Sequence, residues 1–309
     1  MKRVFIDGSA GTTGLRIRER LSQRGDIELI TLSEESRKDP AARKEAINAA
    51  DAAFLCLPDA AAIEAVSMVE SDKVTILDTS TAHRTNPAFA YGFPELSEDH
   101  ARKVKESNRI AVPGCHASGF IALVYPLVEA GVLSKDSLLS CFSLTGYSGG
   151  GKKMIAEYED PNRNPLLGGP RQYALGQAHK HLKEMSAVTG LTCAPLFSPI
   201  VGDFYSGMQV SVPLFASQIK ATPEEIRAIY REKYNTPLVR YVDTADREGF
   251  LESLALSGLD CMAVTVDGNE ERILLSALYD NLGKGASGAA IECMNLRFGL
   301  DATEGLKIN

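Results

Sequence analysis

The first third of the chain alternates short apolar runs with segments of helical periodicity. The runs KRVFIDG, IELITL, DAAFLCLP, KVTILDTS and NRIAVPG are rich in β-branched and other apolar residues, which is typical of buried strands. Helical patterns such as LRIRERLSQRG and DAAAIEAVSMVES stand between them. Repeated strand–helix alternation predicts an α/β fold with a doubly wound parallel sheet.

The pattern changes after Leu138. The runs LLSCFSLTGY, FYSGMQVSVPLF, DCMAVTVDG and RILLSALYD predict strands of a second sheet. TPEEIRAIYREKYN predicts a helix with Thr222 as its N-cap and Pro223 at its first position. We therefore expect a second, α+β domain built on a mixed sheet.

Composition narrows the class of protein. The 309 residues exceed the roughly 250–300 at which single cores stop growing, so two domains are expected. A net charge of −7 without a basic block argues against nucleic acid, and no apolar run approaches the roughly 20 residues of a membrane span. The start MKRVFIDGSAG does not read as a signal peptide, so a cytoplasmic enzyme acting on a small molecule is expected.

The segment GSAGTTG follows the first strand and precedes the first helix. In such a turn Gly8 permits the tight bend, Gly11 lets the backbone approach a pyrophosphate and Gly14 permits close packing. Thr12 and Thr13 complete the predicted cofactor site at the helix N-terminus, which makes the first domain Rossmann-like. Because the spacing is GxxGxxG and not GxGxxG, a purely structural glycine turn remains the alternative.

The loop SEESRKD after the second strand bears on the choice of cofactor. Ser33, Arg37 and Lys38 suit a ribose 2′-phosphate, whereas Glu34 and Glu35 suit a free 2′-hydroxyl. All five could also form a solvated loop. The sequence favours NADP and leaves NAD open.

The stretch AVPGCHASGF places Cys115 at the start of a predicted apolar helix. A helix N-terminus stabilises a thiolate, so Cys115 is the candidate nucleophile. The other five cysteines are scattered without a CxxC pair, which argues against a zinc site or a disulfide framework.

A nucleophilic thiol needs a proton carrier, and the segment QAHKHLKEM supplies candidates. His179 and His181 lie there with Glu184, whose carboxylate could orient an imidazole. A His-x-His metal site is the alternative, but no third ligand lies close by in the sequence, so no metal is expected. An ordinary surface segment is a further alternative.

Five strings along the chain carry a family resemblance: GSAGTTG, VPGCHASGF, TGYSGGGKK, HKHLKEM and DNLGKGASGAA. In these strings and in their order the chain resembles the N-acetyl-gamma-glutamyl-phosphate reductase family in its shorter form. The resemblance implies that an acyl phosphate is reduced by NADPH to N-acetylglutamate 5-semialdehyde, with release of phosphate. It also implies that Cys115 forms a thioester, that His179 acts as acid and base, and that Glu184 assists His179.

Further roles follow from the same resemblance. It implies substrate contacts from Arg84, Ser148, Gly149 and His181, and cofactor contacts late in the chain from Asn281, Gly283 and Lys284. It implies that the last helix returns to the first domain, giving a cofactor domain of 1–114 with 285–309 and a catalytic domain of 115–284. A homodimer or homotetramer is expected.

Two residues depart from the family pattern, since His116 stands where an aromatic tyrosine or phenylalanine is usual and Lys183 stands where a proline is usual. The imidazole of His116 could act on Cys115 or carry a proton. Three other functions remain open on the residues alone: a reductase similar to aspartate-semialdehyde dehydrogenase, a cysteine hydrolase or acyltransferase without hydride transfer, and a nucleotide-sensing module with an inert Cys115.

Overall fold

The protein was analysed as a computed structural model that describes residues 1–246 and 248–309. Contacts within the chain divide it into two compact units. Unit 1 comprises Met1–Gly114 with Ala286–Leu306, and unit 2 comprises Cys115–Gly285 with Lys307–Asn309. Each contains its own sheet.

Unit 1 is built on a six-stranded sheet in which every neighbouring pair is parallel, in the order β2-β1-β3-β4-β6-β5. This confirms the predicted doubly wound sheet. The strands are β1 Lys2–Asp7, β2 Ile27–Ile30, β3 Ala52–Leu55, β4 Thr75–Asp78, β5 Ala90–Tyr91 and β6 Arg109–Ala111. The helices are α1 Thr12–Leu21, α2 Pro40–Ala49, α3 Asp59–Ser67, α4 Glu98–Glu106 and, from the end of the chain, α9 Gly288–Arg297.

Two hydrophobic cores lie on opposite faces of this sheet. Val4 and Ile6 point into a core shared with α1 and α9, whereas Phe5 points into a core shared with α2 and α3. Successive strand residues alternate between faces, so a strand that is apolar at every position needs helices on both sides. This explains why the strands of the first third read as continuous apolar runs.

Unit 2 is built on a seven-stranded mixed sheet in the order β11-β12-β13-β10-β7-β9-β8. The pairs β7–β9 and β11–β12 are parallel and the other neighbours are antiparallel, as predicted for the second domain. The strands are β7 Ser140–Gly146, β8 Arg171–Gln172, β9 Leu196–Gly202, β10 Met208–Phe215, β11 Val239–Tyr241, β12 Met262–Gly268 and β13 Arg272–Tyr279. The helices are α5 Cys115–Glu129, α6 Gly151–Glu159, α7 His181–Thr189 and α8 Pro223–Lys233.

Helix α5 is the central helix of unit 2 and packs on β10, β13, α7 and α8. It continues through Pro126, which has no N–H to give to the carbonyl of Ala122 one turn earlier. The hydroxyl of Tyr234 donates to that carbonyl at 2.7 Å, and the hydroxyl of Tyr230 donates to the next one. The Tyr234 hydroxyl therefore replaces the backbone partner that Pro126 lacks, and the Tyr230 hydroxyl adds a second buried contact on the next carbonyl.

A local sequence signal fixes the start of α8. Thr222 and Glu225 form a reciprocal capping box at the start of α8, as predicted for Thr222. The glycine-rich segment after β7 forms a short 3₁₀ turn, Tyr147–Gly150, followed directly by α6. Within the described residues, no helix combines the length and the apolar character needed to cross a bilayer.

Candidate active site

Cys115 is the first residue of α5 and is only partly buried. The hydroxyl of Tyr279 on β13 donates to the Cys115 carbonyl at 2.5 Å and accepts from the Gly119 N–H at 3.0 Å. A Cβ at Gly119 would lie 2.6 Å from that hydroxyl, so only glycine lets the helix approach the strand this closely. One tyrosine therefore fixes the helix start that carries the thiol.

The segment that follows β13 comes against the cysteine. A Cβ on Gly285 would lie 3.0 Å from Cys115 Cβ, and one on Gly283 would lie 2.0 Å from the Leu259 carbonyl oxygen. Backbone, not side chain, therefore fills the space beside the thiol. Lys284, between these glycines, is almost fully buried.

A buried carboxylate holds this segment in place. Asp280 accepts hydrogen bonds from the backbone N–H groups of Leu282, Gly283 and Gly258 at 2.7, 2.8 and 2.6 Å. The hydroxyl of Ser206 donates a fourth at 2.7 Å. Such saturation satisfies a buried carboxylate and makes the turn rigid.

Asn281 links the segment after β13 to the 3₁₀ turn Tyr147–Gly150 and to Gly207. Its Nδ2 donates to Ser148 Oγ at 3.0 Å, and its Oδ1 accepts from the Gly207 N–H at 3.0 Å. A Cβ on Gly149 would lie 3.5 Å from Asn281 Nδ2, so the predicted residues Ser148, Gly149 and Asn281 are brought together. Ser148 is buried and Gly149 is exposed, which leaves the Gly149 backbone as the accessible part.

Three histidine rings meet in unit 2. The ring centroids of His116 and His179 lie 5.6 Å apart, those of His116 and His181 5.5 Å, and those of His179 and His181 4.8 Å. The ring of Phe197 contacts both His116 and His179. Within the described part of the chain, no three His, Cys, Asp or Glu side chains are arranged to hold a metal ion.

His116 bridges two hydroxyls. Its Nδ1 lies 2.6 Å from Ser143 Oγ, and its Nε2 lies 2.7 Å from the Tyr173 hydroxyl. Burial lowers the pKa of His116 to about 3, with His179 and Lys180 adding to the effect, so the ring is neutral at pH 7. The same burial raises the pKa of Tyr173, so its hydroxyl stays protonated. His116 therefore joins α5 to β7 and to the loop before His179.

His179 lies two residues before α7 and is half-buried. Burial, followed by the charge of Lys180, lowers its pKa to about 4. The backbone N–H of His181 donates to His179 Nδ1 at 3.2 Å, so the neutral ring carries its proton on Nε2. His181 and Glu184 lie in the first turn of α7 and are buried.

Arg84 belongs to unit 1 and donates from Nε to the Val112 carbonyl at 2.9 Å and from Nη2 to the Thr79 carbonyl at 2.8 Å. These bonds tie together the chain just beyond β4 and β6. Part of the guanidinium predicted to meet substrate is thus used inside unit 1.

The predicted cofactor site of unit 1 contains a cavity of about 560 Å³. Two of the predicted cofactor residues, Gly8 and Arg37, line it together with Lys38 and Glu34, and Arg37 Nη2 forms an ion pair with Glu34 at 2.7 Å. Ser33 Oγ in the same loop lies 2.9 Å from Ser36 Oγ.

The glycine turn beside the cavity requires its glycines. Gly8 has φ +84°, and a Cβ there would lie 2.3 Å from the Cys56 carbonyl oxygen. A Cβ on Gly14 would lie 2.5 Å from the Gly8 carbonyl oxygen. Thr12 Oγ1, at the first position of α1, is buried without a hydrogen-bond partner among the described residues. The turn therefore fits a phosphate group, which would accept from this hydroxyl and from the helix N–H groups.

Sequence reasoning missed two cations that line the cavity, Arg18 on α1 and Arg43 on α2. Arg43 Nε donates to Asp7 Oδ2 at 3.0 Å, and its Nη1 lies 3.2 Å from Glu64 Oε2. Burial raises the pKa of Asp7, and Arg43 works against that rise. Asp7 immediately precedes the glycine turn, and only the folded chain shows which cation balances it.

Two domain families match the chain, one within each unit. The semialdehyde dehydrogenase NAD-binding domain family matches residues 3–104, and the semialdehyde dehydrogenase dimerisation domain family matches residues 115–281. The chain is 44% identical over 306 residues to the N-acetyl-gamma-glutamyl-phosphate reductase of Burkholderia lata, an alignment that covers 96% of each chain. It is 42% identical over 308 residues to N-acetyl-gamma-glutamyl-phosphate reductase 2 of Pseudomonas putida, again with 96% of each chain covered.

The fold has solved counterparts. The chain superimposes on aspartate semialdehyde dehydrogenase II of Vibrio cholerae with a TM-score of 0.72 at 16% identity, covering 97% of this chain and 98% of the other. This likeness supports the two-sheet architecture.

Proposed function

The chain belongs to the semialdehyde dehydrogenase family, with N-acetyl-gamma-glutamyl-phosphate reductases as its relatives over almost its whole length, and we propose that it reduces N-acetyl-gamma-glutamyl phosphate to N-acetylglutamate 5-semialdehyde. The product is an aldehyde, phosphate is released, and the reaction serves arginine biosynthesis. The observation that carries this proposal is the position of Cys115 at the start of α5, in the same unit as two neutral histidines, His116 and His179.

The first half-reaction needs a thiolate and a proton carrier. The thiolate of Cys115 attacks the acyl carbon, the C–S bond forms, and the C–O bond to phosphate breaks. The helix N-terminus stabilises the thiolate. His179 is neutral and takes the thiol proton, which then passes to the departing phosphate. The basic atom of its tautomer is Nδ1, so this protonation costs only the long contact with the His181 N–H.

The second half-reaction reduces the thioester. The reduced nicotinamide supplies a hydride to the thioester carbon when it is bound. The oxyanion that develops needs N–H donors, and the exposed Gly149 backbone supports that role. Breakage of the C–S bond then releases the aldehyde and returns the thiolate of Cys115.

We propose NADPH as the reductant. Thr12, Thr13, Gly11 and Gly14 form the turn for the pyrophosphate at the start of α1. The cavity of unit 1 is lined by four cationic side chains, Arg18, Arg37, Lys38 and Arg43, and by two carboxylates, Glu34 paired with Arg37 and Asp7 paired with Arg43. A 2′-phosphate is favoured by such an excess of positive charge.

We also propose a homodimer or homotetramer. One face of the unit 2 sheet carries Phe142, Leu196 and Phe215, which are 48%, 57% and 62% exposed. Strand register places all three on the same face. Contiguous exposed apolar side chains are typical of an interface, and the matching dimerisation-domain family agrees. We place the enzyme in the cytoplasm.

The test runs the reaction in reverse, because the acyl phosphate is labile. N-acetylglutamate 5-semialdehyde, phosphate and NADP⁺ or NAD⁺ are mixed, and reduced cofactor is followed by absorbance, with aspartate semialdehyde in parallel. We expect phosphate-dependent reduction of NADP⁺ with the acetylated substrate, loss of activity in Cys115→Ser and full activity in Cys193→Ser, an exposed cysteine. Equal turnover in Cys115→Ser would exclude the thioester route. Reaction with aspartate semialdehyde alone would reassign the substrate.

A further inference from the structure

The loop between β8 and α7, which carries His179, has an unusual backbone. Ala174 has φ +51° and Gln177 has φ +54°, and among the described non-glycine residues only Glu248 shares this left-handed region. Such conformations are strained for residues with a side chain and persist where surrounding contacts determine them. Neither residue is an asparagine or aspartate, which would tolerate the conformation more readily.

Gln177 has contacts that determine its conformation. Its Nε2 donates to the Phe197 carbonyl at 2.8 Å, and its Oε1 accepts from the Phe197 N–H at 2.8 Å. This reciprocal pair is the pattern that a neighbouring strand residue makes with β9. The side-chain amide of Gln177 therefore replaces a strand backbone as the hydrogen-bond partner of β9 at Phe197, where the loop backbone no longer pairs with the sheet.

The residues before Gln177 also form hydrogen bonds along the edge of β9. β8 pairs with β9 through Ile200 and Val201, and the Tyr173 N–H then donates to the Pro199 carbonyl at 3.1 Å. The Gln177 amide is the next contact, at Phe197. Two residues later the chain reaches His179.

The two hydrogen bonds between the Gln177 amide and the Phe197 backbone form a clamp. Phe197 connects this clamp to His179 and His116. Its ring centroid lies 5.2 Å from that of His179 and 5.4 Å from that of His116. Gln177 therefore binds the backbone of Phe197, and the ring of Phe197 packs against His179, the proposed proton carrier. Loss of the amide would free the loop and the Phe197 backbone together.

We infer that Gln177 is a positioning residue for catalysis: its amide, bonded to the backbone of Phe197, holds the His179 ring in its place against His116 and Tyr173. This inference rests on the proposed acid–base role of His179. A simple edge-capping role would instead affect stability alone.

The test substitutes Gln177→Gly, which removes the amide and relieves the backbone strain. We expect kcat to fall roughly 10- to 100-fold with little change in KM, because a small displacement of a catalytic group has an effect of this size. Ala174→Gly relieves the same strain in the same loop without removing an amide, and it should keep wild-type kcat. Equal kcat in Gln177→Gly and Ala174→Gly would overturn the inference.

A pH titration distinguishes positioning from mere stabilisation. The groups that face His179 are His116, His181, Tyr173 and Lys180. Its pKa is lowered chiefly by burial, so a loosened loop should return the pKa toward its ordinary value and move the acid limb of kcat upward in pH. An unchanged acid limb in Gln177→Gly would contradict the inference.

NMR titration of the His179 ring gives a readout that needs no turnover. If the wild-type protein lacks reductase activity, the proposed function fails, while an upward pKa shift in Gln177→Gly still supports the positioning and an unchanged pKa overturns it. Should Gln177→Gly fail to fold, Gln177→Met keeps a side chain of similar length, removes both hydrogen-bonding atoms and adds no charge next to His179. It should shift kcat and the His179 pKa in the same directions, and wild-type values would refute the clamp.

Discussion

Replacement of His116 by phenylalanine tests the buried hydroxyl bridge of unit 2. The ring is 3% exposed, and its two nitrogens serve Ser143 and Tyr173 at 2.6 and 2.7 Å. Phenylalanine keeps a planar ring of similar volume and removes both hydrogen bonds. The change therefore isolates the polar contribution of the imidazole from its packing.

The expected cost at pH 7 follows from burial. Ser143 is fully buried, and a buried hydroxyl left without its partner costs about 1–3 kcal/mol. The Tyr173 hydroxyl is only partly buried and adds less. We expect His116→Phe to lower the free energy of unfolding of unit 2 by about 2–4 kcal/mol at pH 7.

The same substitution should change the pH dependence of stability. The pKa of His116 is about 3 in the folded protein, below its ordinary value of about 6.5 in the unfolded chain. Below pH 6.5 His116 therefore binds a proton in the unfolded chain but not in the folded protein. The free energy of unfolding consequently falls as the pH decreases toward 3. Between pH 7 and pH 4.5 this linkage removes about 2–3 kcal/mol from the wild type and nothing from His116→Phe.

The chain has no tryptophan, so hydrogen exchange is the suitable assay. Exchange of the α5 amides, followed by mass spectrometry at pH 7 and pH 4.5, reports the opening free energy of unit 2. Wild type and His116→Phe should differ by about 2–4 kcal/mol at pH 7 and by much less at pH 4.5. His179 titrates in both proteins, so its contribution cancels to first order.

The double variant His116→Phe/Ser143→Ala supplies the control, since it removes both partners of one hydrogen bond and should recover about 1–2 kcal/mol. Stability curves of wild type and His116→Phe that run parallel between pH 7 and pH 4.5 would refute the buried neutral imidazole. Wild-type stability of His116→Phe at pH 7 would refute the bridge.

Three further substitutions test other parts of the structure. Gly14→Ala places a Cβ 2.5 Å from a backbone oxygen of the turn and should weaken NADPH binding at least about tenfold by calorimetry, whereas Gly25→Ala, with no atom within 4 Å, should not. Tyr234→Phe leaves a carbonyl of α5 unpaired and should lower stability by about 1–3 kcal/mol in the same exchange assay; Tyr125→Phe, which loses an exposed contact, should have little effect. Arg37→Glu should raise KM for NADPH at least about tenfold and leave KM for NADH nearly unchanged, and equal changes in both would argue against a 2′-phosphate contact.

The elements that the sequence predicts are those whose signals are local. A buried strand such as β3 is apolar at every position, and α8 carries its own capping box, so short stretches of sequence determine them. The glycine turn before α1 and the cysteine at the start of α5 are equally local. Two-residue strands such as β8 have too few residues to show any period, which is why they escape prediction.

The partners of the site residues are decided by contacts between distant segments. His116 and Tyr173 are 57 positions apart, His116 and Ser143 are 27 apart, and Gln177 lies 20 positions from Phe197. Local propensity carries no record of such pairs, because any buried hydroxyl or backbone group could satisfy the same donor. Only the packing of α5 and the β9 edge selects the actual partner.

The sequence by itself therefore predicted a two-domain α/β architecture, a candidate glycine turn for a dinucleotide and a candidate nucleophilic cysteine at a helix start. The tertiary structure decided that His116 is a neutral bridge, that Arg43 balances Asp7, and that an amide holds the histidine loop. The physical reason is range: hydrophobic periodicity and helix capping act over a few residues, whereas burial, and the pKa values and hydrogen-bond partners that depend on it, arise only when distant segments pack.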